Sequence, residues 1–428
     1  MTTLHRLFRR PLAVAGFAML SAFCASAPAQ EFEELGSTRL IIRSLRDLGP
    51  LGQDVLSLCW SADGRKLLVD KHNGTHSSIQ VLDLEQNRAQ EISSSPDFRG
   101  QNLGPGHCSN PSWNPSEEML VFCAQAGRSK ETVRARSGYG LHNNLWLLDE
   151  RGKFTQLNNT GLSQSNPRGV LFPSFSRDGR RIFWTQVLGN SRLNSVMGMR
   201  EMCLGELVFQ HGRWQLEKIE RHAPGQGKDF YETYGFSPDG KSVLFAAAMD
   251  NRQPWFTMNI YTMNIPANNP PQAITNTRSA WNRFAAFSPK GKKITWSSSD
   301  GMLLTNLGVG GRLWEKYLRT ELWLANQDGS DKRRLTGFNF RNTKEFAGRR
   351  AVVGMNAWHP NGREIALVLM LEKRNYELES RVVILELADS FIAPPPPTAP
   401  IPPAPAEQAA PAEQAAPAQQ AAPAVPAE

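Results

Sequence analysis

Residues 236–245 read Phe236-Ser237-Pro238-Asp239-Gly240-Lys241-Ser242-Val243-Leu244-Phe245, and this stretch decides the fold. Proline fixes φ, Asp-Gly accommodates a chain reversal, and apolar residues enter and leave it, so the stretch predicts a β-hairpin. The same unit recurs as Trp60-Ser61-Ala62-Asp63-Gly64, Trp113-Asn114-Pro115-Ser116-Glu117, Phe175-Ser176-Arg177-Asp178-Gly179, Phe287-Ser288-Pro289-Lys290-Gly291 and Trp358-His359-Pro360-Asn361-Gly362. Strand-like runs follow, among them Lys66-Leu67-Leu68-Val69, Arg181-Ile182-Phe183-Trp184 and Glu364-Ile365-Ala366-Leu367-Val368. A second strand pair follows each hairpin, as in Leu145–Leu148 with Phe154–Leu157 and Glu321–Leu324 with Arg333–Thr336. Six units of four antiparallel strands predict an all-β chain, a six-bladed β-propeller.

Ring closure follows from the ends of this pattern. The sixth unit supplies three strands, the last being Arg381–Leu387, before the chain turns proline-rich. The run Thr38–Leu45 is a strand with no hairpin of its own, and it is expected to complete the sixth blade as its outer strand. The motif aromatics Trp60, Trp113, Phe175, Phe236, Phe287 and Trp358 recur at one place in the unit, which assigns them to packing between blades.

The repeat resembles that of the TolB-like propellers, most closely over residues 236–275 and 287–336. The resemblance implies the fold and says little about function. TolB itself carries an additional α/β domain before its propeller. The N-terminal stretch here is too short for one, so a propeller-only relative is implied.

At the N-terminus, Arg6, Arg9 and Arg10 precede an apolar run from Leu12 to Phe23 and the small residues Ala27-Pro28-Ala29. This order is that of a signal peptide, 1–29, which places the mature protein in the periplasm or outside the cell. The apolar run is too short for a stable transmembrane helix, so the mature chain is expected to have none of its own. At the other end, residues 393–428 are Pro, Ala and Gln with almost nothing large and apolar, which predicts a disordered tail. Residues 30–392 are left for the propeller.

The formal net charge is +8 over 428 residues. That excess favours anionic partners and is far below what nucleic acid binding would demand. No GxSxG, HExxH or Gly-rich phosphate loop is present, and His72, His76, His107, His142 and His359 do not recur at one repeat position. No catalytic residue, metal site or cofactor is therefore expected. Cys108 and Cys123 flank the second hairpin, and a turn centred between Pro115 and Ser116 would set them opposite each other as a disulfide.

In a propeller the connections between the second and third strands and those between blades emerge on one face. Here they are long, basic and aromatic, and they supply the candidate binding residues Arg134, Arg136, Tyr139, His142, Trp255, Trp281, Arg283, Trp314 and Arg319. Arginine with aromatics suits an acidic protein surface or an anionic glycan. The reading that follows is an exported, non-catalytic binding or scaffold protein docking a periplasmic or membrane-complex partner through this loop face. The alternative is a propeller enzyme of lyase or lactonase type acting on an acidic sugar or related small substrate.

Overall fold

The computed structural model describes residues 38–391 apart from 54, 103–105, 131–133, 164, 190–197, 226–229, 250–255 and 303–313. The expected signal peptide and tail lie outside the described residues.

Six four-stranded sheets follow one another along the chain. Blade one is β2 (Leu58–Trp60), β3 (Lys66–His72), β4 (Ser77–Asp83) and β5 (Arg88–Glu91). Helix α1 (Pro96–Asn102) leads to blade two, made of β6 (Cys108–Trp113), β7 (Leu120–Gln125), β8 (Asn143–Leu148) and β9 (Phe154–Gln156). Blade three is β10 (Gly169–Phe175), β11 (Arg181–Gly189), β12 (Met199–Gln210) and β13 (Arg213–His222). Blade four is β14 (Tyr231–Phe236), β15 (Ser242–Ala247), β16 (Asn259–Asn264) and β17 (Gln272–Ala273). Blade five is β18 (Asn282–Phe287), β19 (Lys293–Ser298), β20 (Glu321–Asn326) and β21 (Arg333–Arg334), with α2 (Trp314–Tyr317) before β20. Blade six is β22 (Ala351–Trp358), β23 (Glu364–Glu372), β24 (Leu378–Phe391) and, outermost, β1 (Thr38–Gly52). The closing strand is thus longer than its sequence pattern indicates, pairing with β24 from Thr38 opposite Phe391 to Gly52 opposite Ser380.

The repeated motif earns its residues through turn chemistry. The Ser176 hydroxyl donates to Asp178 Oδ1 at 2.5 Å and accepts from Arg181 N–H at 2.9 Å. The same pair of bonds links Ser237 with Asp239 (2.5 Å) and Ser242 (3.0 Å). These hydroxyls hold the Asp178 and Asp239 carboxyls below their ordinary value. The glycine carries positive φ, +73° at Gly64, and a Cβ there would lie 2.2 Å from the His359 ring. Its carbonyl is a link between blades: Gly64 O faces His359 Nε2 at 3.0 Å, Gly179 O accepts from Asn114, and Gly240 O accepts from Arg181.

Each second strand is apolar at successive positions because both of its faces are covered by neighbouring blades. On β15, Val243, Phe245 and Ala247 enter one cluster while Leu244 and Ala246 enter another. On β11, Ile182 and Trp184 face one side and Phe183 the other. The largest cluster gathers residues from the strands of five blades, including Leu58, Leu171, Leu244, Ile294 and Val352, with Leu141 added from the connection of blade two. The motif aromatics pack between blades, and two of their ring N–H groups cross seams: Trp60 Nε1 donates to Ala357 O at 3.1 Å and Trp358 Nε1 to Thr295 Oγ1 at 3.0 Å.

The expected disulfide is corrected by the register. Trp113 faces Leu120, and a bulge at Asn110-Pro111 then sets Ser109 opposite Cys123 and Cys108 opposite Ala124. One residue of offset sends the two side chains to opposite faces of the sheet. Cys108 and Cys123 are both buried free thiols, in different clusters.

Candidate functional site

Each inner strand begins on the face where the long connections emerge, so side chains near those starts meet around the axis. The start of β14 places Glu232 there, fully buried. Arg283 of β18 binds its carboxylate through two nitrogens, with Nε at 2.5 Å from Oε2, and Arg200 of β12 pairs with Oε1. Tyr234 Oη donates to Oε2 at 3.0 Å, and Arg200 Nη2 reaches Gly138 O, on the blade-two connection, at 2.7 Å. Burial pushes the Arg200 guanidinium down to about 10 against the pull of Glu232, which leaves it charged at neutral pH. The guanidiniums also stack, Arg200 over Phe230 at 4.7 Å and Arg283 over Phe284 at 4.7 Å and Trp281 at 5.2 Å. Three blades are thereby joined through one carboxylate, and Arg200 extends the link to the blade-two connection.

Beside this array the rings of Phe172, Tyr234 and Phe284 lie 6.2 Å from one another. They come from the inner strands of blades three, four and five, so aromatic rings occupy this side of the axis. Phe172 and Phe284 have φ of 48° and 56° at strand bulges, a costly conformation for a bulky residue and one that fixes ring direction.

The exposed part of the loop face is built outward from Arg350. This buried side chain binds Glu372 Oε2 at 3.0 Å and donates to Glu315 O, Leu318 O and Tyr376 O at 3.3, 3.2 and 2.9 Å. It thus fastens α2 and its following turn to the blade-six connection between β23 and β24. On the segments it joins stand Tyr317 and Tyr376, 39% and 47% exposed, and Phe346, 37% exposed, lies four residues before it in the chain; this is more aromatic surface than a solvated rim needs. Tyr317 and Tyr376 meet edge to face at 5.6 Å, and Lys316 Nζ lies 5.9 Å from the Tyr376 ring centre. Arg319, Arg341, Lys344, Arg349 and Arg374 are exposed in the same segments. Asn375 and Tyr376 both have positive φ, 50° and 68°, so strained backbone presents the exposed ring.

The residues singled out from sequence fall into three groups. Arg319 is exposed on this face, and Trp314 belongs to α2. Arg134, Arg136 and Tyr139 are half-buried in a turn where Tyr139 N–H donates to Arg136 O at 3.0 Å. His142 is buried with Nδ1 2.8 Å from Ser129 Oγ, and Trp281 and Arg283 are buried parts of the aromatic and ionic array. Trp255 lies outside the described residues. The histidines do not converge: His72 stacks with His107 at 6.0 Å between blades one and two, and His359 packs on Trp60 on the hairpin face. Tyr376 and the fastening role of Arg350 are what sequence reasoning missed. A lone tyrosine in a short connection carries no pattern.

A buried acid sits at the seam of blades one and two. Asp70 of β3 accepts from Ser57 Oγ, which in turn accepts from Asn110 Nδ2 at 3.2 Å, and that amide reaches Ser137 Oγ at 3.1 Å. Burial raises the Asp70 carboxyl to about 7, opposed by its hydrogen bonds. The unfolded chain releases this proton near 3.8, so between about pH 4 and 7 the folded state binds more protons. Stability from this group is therefore highest in acid and falls by about 4 kcal/mol as pH rises to 7 and beyond. Asp70→Asn should flatten that part of the pH profile and unfold later than the parent at pH 8. Urea titrations at pH 5 and 8 check it.

Among the described residues no helix is long and apolar enough to cross a membrane. No protein family matches the chain, and no curated protein does. Solved structures do resemble it. A TolB-like protein from Agrobacterium tumefaciens is 15% identical, over 82% of this chain and 99% of that one, with a TM-score of 0.46. A gluconolactonase from Xanthomonas campestris is 12% identical, over 83% and 91%, with a TM-score of 0.48. An oligogalacturonate lyase from Vibrio parahaemolyticus is 9% identical, over 82% and 97%, with a TM-score of 0.43. These are likenesses of propeller architecture, shared by proteins of different activities, while the fold itself rests on the strand order above.

Proposed function

We propose that this protein is exported and serves as a non-catalytic docking module, holding the acidic surface of a protein partner in the cell envelope through the loop face of its last two blades. The observation that carries this reading is the Arg350-fastened patch, where the exposed rings of Tyr317 and Tyr376 meet beside Lys316 on segments that carry further exposed lysines and arginines. Preordered aromatics with surrounding cations are the composition of interface hot spots, and cationic rims steer acidic partners. A lyase or lactonase would need an acid open to substrate near the axis. Glu232, the acid that the described inner strands bring to the ionic array, is fully buried between two guanidiniums, which supports docking over that alternative. Export is supported by the order of basic, apolar and small residues in 1–29.

Reversing Lys316 and Arg319 to glutamate should weaken association with the native envelope partner about tenfold at low salt and less at high salt. The same reversal at Lys241 and Lys292, exposed on the hairpin face, should change it little. Binding measured by surface plasmon resonance at two salt concentrations checks both. Equal losses from the two faces would leave only diffuse electrostatics.

A further inference from the structure

We propose a second, independent binding site on the outer rim: the groove between blades two and three takes a carboxylate-bearing oligosaccharide of about two sugar units. The groove encloses about 450 Å³, within the size range of small-ligand sites, roughly 300–1,000 Å³. It exists because a long outer hairpin in blade three stands beside the short outer strand of blade two. Strand β13 has 10 residues where the neighbouring outer strand β9 has 3, so the β12–β13 hairpin overhangs the short edge of β9. Lys153 Nζ ties the hairpin tip down through Gly212 O at 3.3 Å, and Arg151 stacks on Phe209 at 5.0 Å, which in turn lies 5.1 Å from Trp214.

The lining is a set of carboxamides held by one end. Gln156 Nε2 donates to Asn158 O at 2.6 Å, and Asn158 Oδ1 accepts Leu145 N–H at 2.7 Å. Asn159 Oδ1 accepts Gly161 N–H at 3.1 Å, and Gln215 Nε2 donates to Glu217 Oε1 at 3.0 Å. The opposite ends, Gln156 Oε1, Asn158 Nδ2, Asn159 Nδ2 and Gln215 Oε1, have no protein partner among the described residues. They form two fixed acceptors and two fixed donors, the mixture that vicinal hydroxyls require. Trp214 forms a wall, and its buried Nε1–H likewise lacks a protein acceptor among the described residues. Lys153 and Arg213 are the charged residues of the lining, with no carboxylate among them, and a partner bearing carboxylate groups complements them.

The test is calorimetric titration of the full mature chain with a β-1,4-linked glucuronic acid trisaccharide, its neutral glucose counterpart and hexaglutamate. The acidic trisaccharide should bind at least ~10-fold tighter than the other two. Arg213→Ala and Gln215→Ala should each weaken it ~10-fold, with thermal unfolding unchanged. Lys153→Met provides a third variant should either of these melt early, and the same loss is expected of it. Reversal of Lys316 and Arg319 should leave this binding intact, which separates the rim site from the docking face. Absence of binding, equal binding of the neutral sugar or the peptide, or indifference to the rim substitutions would overturn the proposal.

Discussion

Replacing Glu232 by alanine should cost about 4 kcal/mol of folding stability, the range seen when one partner of a buried ion pair is removed. Its carboxylate stands between the guanidiniums of Arg200 and Arg283, which come from blades three and five and are both buried. Without it, two cations that burial already disfavours are left facing each other, and Tyr234 Oη loses its acceptor. Glu232→Gln keeps the shape and should still lose most of this. Converting the array together, Glu232→Leu with Arg200→Met and Arg283→Met, should recover much of the stability, since packed apolar residues can replace a buried ionic group. Chemical denaturation of the three variants measures it, and a loss under 1 kcal/mol in Glu232→Ala would remove the array from the account of what joins these blades.

The second large effect concerns closure. Residues 38–45 pair with the last strand from Phe391 to Leu385, and Leu40 is buried in the cluster that also holds Leu367 and Val383. A chain lacking them leaves β24 with an open edge from Leu385 to Phe391 and that end of its cluster uncovered, so it should melt ~10 °C or more below the parent and tend to aggregate. A synthetic peptide spanning residues 36–47 should restore part of the loss by adding back as a strand. Unchanged unfolding of the deletion would show that the ring closes by other contacts.

What the sequence made legible was whatever repeats. The Ser-x-Asp-Gly turns, apolar second strands and orphan N-terminal strand each leave a mark at fixed spacing, and together they specify blades, order and closure. What it hid was single and long-range. Glu232 is one acid in Tyr231-Glu232-Thr233-Tyr234, and its partners Arg200 and Arg283 lie on other blades with nothing in the spacing to join them. Trp281 and Arg283 have the residue types of a binding face and are spent on internal packing and charge pairing, because a propeller covers its axis with the same aromatics it uses elsewhere. The cysteine pairing failed by one residue because the turn is longer than its proline suggests and a bulge follows it.

The claim that this face docks a partner is tested most directly by site-specific photocrosslinking in cells that produce the protein. A photoreactive phenylalanine analogue at Tyr317 or Tyr376 should give one discrete adduct, diminished when Lys316 and Arg319 are reversed, while the analogue at Lys241 or Lys292 gives none. An adduct formed from the hairpin face alone, or equally from both faces, would contradict it.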